Sequence, residues 1–237
     1  MNLLLKTGIL AAILAVPVLS VGGPFDVRDI LSKDDDKGKK VDIDGLTARG
    51  SALVGKVSKA TIAFGEAVIE MQYAVGNAAA AEKLKGAIDN AKSKKDEGTT
   101  KVLVGEVNNA INEMNQIDLQ AKMDLEKARI SLGKSLLKLG SGSLLDASAL
   151  SEAKAMLAEA TSALSHVKSS PMKYGPTALK NVQSAMSASQ FTVDNVPPQV
   201  NSVATFSDKL REYAKTNKIE TPSKEQTELM AKDMEKE

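Results

Sequence analysis

Cysteine and tryptophan are absent from this 237-residue chain, histidine occurs once, and aromatic residues make up 3% of it. Without cysteine no disulfide can form, so a folded core must be held by packing alone. With His166 as the lone imidazole, the sequence also lacks the ligand sets of structural zinc sites and the partners of a histidine-based triad. Aromatic platforms are the usual means of reading sugars and bases, so their scarcity counts against both ligand classes. Neither sign of charge dominates: 31 Lys and Arg face 30 Asp and Glu, and loss of Lys6 with a leader would make the balance even. No bulk attraction for nucleic acid follows, and no nucleic-acid partner is expected. No stretch alternates polar and apolar residues with β-branched enrichment, which leaves an all-α fold.

What the chain does contain is large and small apolar residues repeating at heptad spacing. Gly50, Val57, Phe64 and Met71 share one position, and Leu46, Leu53, Ala60, Ala67 and Ala74 its partner. Later, Leu150, Leu157 and Leu164 alternate with Ala153, Ala160 and Val167. Spacings of three and four residues place each set on one helical stripe, and alanine in half of the seam lets helix backbones approach closely. The pattern predicts an elongated antiparallel bundle of long amphipathic, Ala-rich helices. Ala60→Leu, Ala121→Leu and Ala160→Leu are each expected to destabilise it by overpacking.

The N-terminal 22 residues form a separate unit, with Lys6 followed by the apolar run Gly8 to Val21 and small residues at Ser20 and Gly22. This is the layout of a secretory signal peptide, which makes an exported protein, periplasmic or secreted, the expectation. The alternative is an uncleaved anchor, since Leu3 to Val21 is nearly long enough to span a bilayer. Residues 23–45 read as a charged linker containing Lys33, Asp34, Asp35, Asp36, Lys37, Lys39 and Lys40.

A bundle is expected over 46–214. Its first helix is placed from Leu46 to Gly76 and its second from Ala78 to Lys95, with Ala81, Leu84, Ile88 and Ala91 on one stripe. Thr99 reads as the cap of a third and longest helix from Thr100 to Leu139. The seam of that helix runs Val104, Val107, Ile111, Met114, Asp118, Ala121, Leu125, Ala128, Leu132, Ser135 and Leu139. Met123, Ile130 and Leu137 lie opposite, suggesting a second half enclosed by other helices. Gly140 to Ser143 reads as a flexible turn, and Ser169 to Pro176 as another break. Pro197 and Pro198 should end the helix before them. Val200, Val203, Phe206, Leu210 and Tyr213 form a last amphipathic stripe, and a charged tail helix occupies 215–237 with Thr221 and Pro222 at its start.

Constellations that suggest chemistry are weak. Gly50-Ser-Ala-Leu-Val-Gly55-Lys56-Val57 has the glycine and lysine spacing of a phosphate loop, but Val57 replaces the required Ser or Thr and the residues fall on the helical seam. Asp42-Ile43-Asp44-Gly45 resembles the centre of a calcium loop without its opening carboxylate or closing glutamate, so Asp44 reads as a helix cap. His166 falls on an exposed flank. The remaining anomaly is Asp118, which interrupts an apolar seam beside Asn112 and Asn115. A polar seam residue often fixes helix register; the sharper reading is a polar insert in the bundle core able to bind a small ligand.

The sequence therefore predicts no catalytic, cofactor or metal site and no enzymatic activity. The expected role is an exported interaction or structural protein, such as an envelope adaptor, scaffold or assembly subunit, acting through a protein partner or self-association. A membrane-active amphipathic bundle of pore-forming or lipid-binding type is the alternative, and a small-ligand or metal carrier is a second.

Overall fold

The computed structural model describes residues 42–94 and 96–236, so the expected leader over 1–22 and linker residues 23–41 lie outside the described residues. Among the described residues all regular structure is helical. The elements are α1 (Ile43–Ala74), α2 (Ala78–Lys94), α3 (Glu97–Gln116), α4 (Leu119–Lys122), α5 (Leu125–Ser169), α6 (Pro171–Thr216) and α7 (Lys224–Lys236).

α1 is the shared wall of the bundle, packing against α2, α3, α5 and α6. All nine seam residues from Leu46 to Ala74 are buried, as the heptad pattern requires. Each large one removed from water contributes roughly 1.5–3 kcal/mol. The direction of α5 follows from its contacts with α1. The Ser135 hydroxyl donates to the Ala67 carbonyl at 3.3 Å, and Arg49 pairs with Glu159 at 2.5 Å, so α5 runs opposite to α1. α6 runs parallel to α1, since Gly50 sits against Ala185 and Ala188 while Thr61 bonds to Gln199. α2 folds back along the second half of α1 after Gly76, whose φ of 81° ends the first helix. α3 then returns between α1 and α6. The buried stripe of α2 is Ala81, Leu84, Ile88 and Ala91, as expected.

Two apolar clusters fill the bundle. One gathers Ala60 to Ala74 with α2, α3, Ala128 to Leu145 and Val203 to Ala214. The other gathers Leu46 to Val57 with Ala149 to Val167 and Ala178 to Val196, joined by Val104. In the second, alanine faces inward: Ala153 and Ala160 are fully buried, whereas Leu150, Leu157 and Leu164 are only partly buried. Small residues thus form the contact line and large ones flank it, the arrangement that brings helices closest.

Several expectations are corrected. The first helix begins at Ile43 and is capped by Asp42, whose Oδ1 accepts from Gly45 N at 2.9 Å; Asp44 lies in the first turn. Asp96, not Thr99, caps α3, and Thr99 donates its amide to Asp96 at 2.7 Å. The long helix expected over 100–139 is broken between Gln116 and Leu125, where Asp118 caps α4 and Asp124 caps α5. Ala121 is consequently exposed, as are Leu125 and Ile130.

Conversely, Gly140 to Ser143 does not turn the chain, because α5 runs through it for 45 residues. Gly142 is needed there: a Cβ at this position would lie 2.5 Å from Phe64 and 3.0 Å from the Ala60 carbonyl oxygen. α6 likewise continues through Pro197 and Pro198. Their fixed φ is helical, and the surrounding packing holds a helix that lacks two amide donors. The break after α5 is real, since Ser170 ends it and Gly175, with φ 72° and ψ 171°, interrupts the start of α6.

Candidate functional site

Counted in sevens without interruption, the long helices carry polar residues inside apolar seams. On α5 the series Leu132, Leu139, Asp146, Ala153, Ala160 and Val167 is buried throughout. On α6 the series Ala185, Thr192, Gln199, Phe206 and Tyr213 is buried, and on α1 so is Val54, Thr61 and Val68. Thr61, Asp146 and Gln199 are each at 0% exposure. They occupy one level of the bundle: Gly142, one turn before Asp146, lies on Ala60 and Phe64, and the Thr61 hydroxyl is shared between the Val57 carbonyl at 2.8 Å and Gln199 Oε1 at 3.3 Å. This level also separates the two apolar clusters, with Asp146 between Leu145 and Ala149, and Gln199 between Val196 and Val203.

The layer is incompletely satisfied. Both carboxyl oxygens of Asp146 and the Gln199 amide nitrogen are buried without a partner among the described residues. Burial pushes the Asp146 carboxyl well above the ordinary carboxylate range, and no neighbouring charge opposes it. A neutral carboxylic acid is the form this burial favours.

α7 lies across the same level. Its start is fixed by a reciprocal capping box, in which Ser223 N donates to Gln226 Oε1 at 2.8 Å and Gln226 N donates to Ser223 Oγ at 3.2 Å. Thr227 lies over Gly140, and the Ser141 hydroxyl is shared between the Leu137 carbonyl of its own helix at 2.8 Å and the Thr227 carbonyl at 3.1 Å. Further along, Leu144, Leu145 and Ser148 of α5 and Glu228, Ala231 and Glu235 of α7 line a cleft of about 200 Å³. Lys56 of α1 joins Glu152 of α5 at 2.5 Å and Glu235 of α7 at 2.9 Å. Burial alone would lower the Lys56 pKa, but its hydrogen bonds to the two glutamates outweigh it and raise it. Lys56 holds Glu235 below the ordinary glutamate value. For all this, Ala231 is the single buried residue of α7, and Leu229 is 61% exposed.

A second cleft, of about 230 Å³, opens between α1, α2 and α5. There Lys138 pairs with Glu66 at 3.3 Å and Glu70 at 2.9 Å, and Lys92 with Glu66 at 2.8 Å. Opposite charges are matched within it, so it reads as an inter-helical brace.

The expected polar insert is not assembled. Asp118 is exposed, and its Oδ1 accepts from Gln120 N at 3.1 Å and Ala121 N at 3.3 Å. It interrupts the apolar series because it is a helix cap, so the chain leaves the seam before reaching it. Asn112 is exposed. Asn115 is half-buried and ties α3 to α6, donating to the Ser202 carbonyl at 3.3 Å while its own carbonyl accepts from Lys209. These three residues do not converge on a cavity. His166 is exposed on α5, and the phosphate-loop look-alike is helical within α1. Among the described residues no cluster of three His, Asp or Glu could hold a metal ion, and no helix is long and apolar enough to cross a membrane.

The residues that reading by sequence missed are Asp146 and Gln199. The signal was present in the sevenfold spacing from Leu139 and from Thr192, but it is visible only when the count is carried through Gly140 to Ser143 and through Pro197 and Pro198. No family model matches the chain, and comparisons with curated proteins and with solved structures also find no match.

Proposed function

We propose that this is a non-enzymatic exported helical-bundle protein that acts through protein contacts, as an adaptor, scaffold or assembly subunit of a cell envelope. The observation that supports this reading most directly is α7, a 13-residue amphipathic helix lying in a groove of α5 with one residue buried. A helix so lightly held in a groove is in the geometry by which amphipathic segments dock and exchange. Export rests on the leader-like residues 1–22, with retention as an N-terminal anchor the alternative.

The test compares the full chain with a version ending at Ser223, each used as bait in envelope extracts and each sized by sedimentation. A partner retained more strongly by the shortened chain, and displaced by a peptide of residues 223–237, is the expected result. A chain that stays monomeric in both forms and retains nothing displaceable overturns the reading.

A lipid-contacting role is the second reading, favoured by the turn between α5 and α6. Met172 is fully exposed there, and residues 160–193 contain exposed Lys168, Lys173 and Lys180 but no Asp or Glu. Flotation with anionic and neutral vesicles decides it. Selective flotation with anionic vesicles, reduced by Lys173→Glu, supports it; no flotation with either removes it.

A further inference from the structure

We propose that the bundle is built to open at the level of Asp146, with α5 bending at Gly140–Ser143, α6 bending at Pro197–Pro198, and α7 acting as the clasp that keeps this level shut. Four independent features meet there, and the proposal does not require a docked partner.

The first is helix weakness in α5. Paired Gly and Ser residues are a common site of helix kinks. Here Ser141 and Ser143 also donate their hydroxyls back to the Leu137 and Leu139 carbonyls, each at 2.8 Å, a local bond that competes with the helical ladder. The second is the matching weakness in α6. Pro197 and Pro198 donate no amides to the carbonyls of Val193 and Asp194. The turns before them carry the same back-bonding pattern, from Ser189 to Ala185, Thr192 to Ala188 and Asn195 to Phe191, at 2.8–2.9 Å.

The third feature is the polar layer. Where the two apolar clusters meet, Asp146 and Gln199 leave buried polar atoms unpartnered among the described residues, and Asp146 is the one carboxyl so placed. An opening here would hydrate those atoms while each apolar half stays packed. The fourth is α7, which spans from Gly140 to Ser148 of α5 and so bridges the weak segment from outside, pinned at its far end by Lys56.

Proton binding sets the bias. The charged side chains on the facing stretches are Lys56 and Lys59 of α1, Asp194 of α6, and Glu228, Lys232, Asp233 and Glu235 of α7. Among the described residues none of them hydrogen-bonds or ion-pairs with Asp146. The closed state therefore holds the Asp146 proton more tightly than an open, hydrated state does. Closure is unopposed below the ordinary Asp value and weakens as pH rises from there towards the raised value of the closed state.

Hydrogen exchange of the full chain, corrected for intrinsic rates and compared at about pH 5 and about pH 8, tests this. Amides of 138–148 and 193–203 should share one opening, with protection about tenfold or more below that of 60–71 in α1. Pro197→Ala should raise protection in both segments at once, and ending the chain at Ser223 should lower it in both. Protection there should fall with pH in the natural chain and stay flat in Asp146→Asn. Equal protection along the whole of α5 and α6, or a Pro197→Ala effect confined to α6, overturns the proposal. Should Pro197→Ala fail to fold, Pro198→Ala and the pH comparison carry the same decision.

Discussion

Alanine at an inner seam position sets how close two helices can lie, and its effect depends on whether a neighbouring backbone is actually opposite it. Ala60 and Ala160 are fully buried, and Ala60 faces α5 at Gly142. Ala121 occupies an equivalent place in the sequence pattern but sits exposed in the one-turn α4. Ala60→Leu and Ala160→Leu should therefore destabilise by about 1–3 kcal/mol through overpacking. Ala121→Leu should stay within about 0.5 kcal/mol of the natural chain. Urea unfolding of the three variants checks this, and an equal loss in all three would mean that seam position rather than burial decides the outcome. The same reasoning separates Asp118 from Asp146. Both interrupt an apolar series, yet one is a solvated cap and the other a buried acid, and a pattern of sevens cannot tell them apart.

At the scale of elements, what could be read from sequence was helix type and inward face. The stripe of α2 was legible to the residue and the seam of α1 in its nine named positions, because a continuous amphipathic period needs no knowledge of its partners; the further buried series Val54, Thr61 and Val68 of α1 lay outside it. Ends and interruptions were less so. Gly-Ser-Gly-Ser and Pro-Pro are strong local breakers, but in α5 and α6 tertiary packing on both sides overrides them, as the approach of Phe64 to Gly142 shows. The opposite error occurred at 117–124, where favourable periodicity continued through two caps. Asp-x-x patterns that cap a helix look like polar interruptions when the turn before them is apolar. Asp124 shows what the cap contributes: its Oδ1 accepts from Glu126 N and Lys127 N, each at 3.0 Å, and its own amide donates to the Ala74 carbonyl at 3.1 Å, closing the end of α1. Asp124→Ala should cost about 0.5–2 kcal/mol in urea unfolding. Asp118→Ala, which touches only the single turn of α4, should cost less. The reverse order would show that α4 rather than the start of α5 anchors this corner.

For the molecule as a whole, the question is what keeps α7 in place when so little of it is buried. Its sequence-specific attachment is Lys56, which is 19% exposed and bridges Glu152 and Glu235. Glu235 has a lowered pKa, so its contribution is present above the ordinary glutamate value of 4.5 and is lost as pH falls through the lower value of the docked state. Lys56 has a raised pKa, so its contribution is present below 10.5 and is lost as pH climbs through the docked-state value. α7 is thus held best between those limits. Glu235 is 47% exposed, which screens the pair and limits it to about 0.2–1 kcal/mol, enough to shift a lightly docked helix without unfolding the bundle. The cysteine-free sequence allows a single labelled pair to be introduced at Ser148 and Lys232, one on each side of the cleft. The distance between the labels should lengthen as the pH falls below the ordinary glutamate value, or in about 1 M salt, while far-ultraviolet circular dichroism remains helical. Glu235→Gln should show part of that lengthening at neutral pH and lose most of the acid response. A distance that never changes, in the natural chain or the variant, would mean that Ala231, Met234 and the Ser141 bond to Thr227 hold α7 without help from charge.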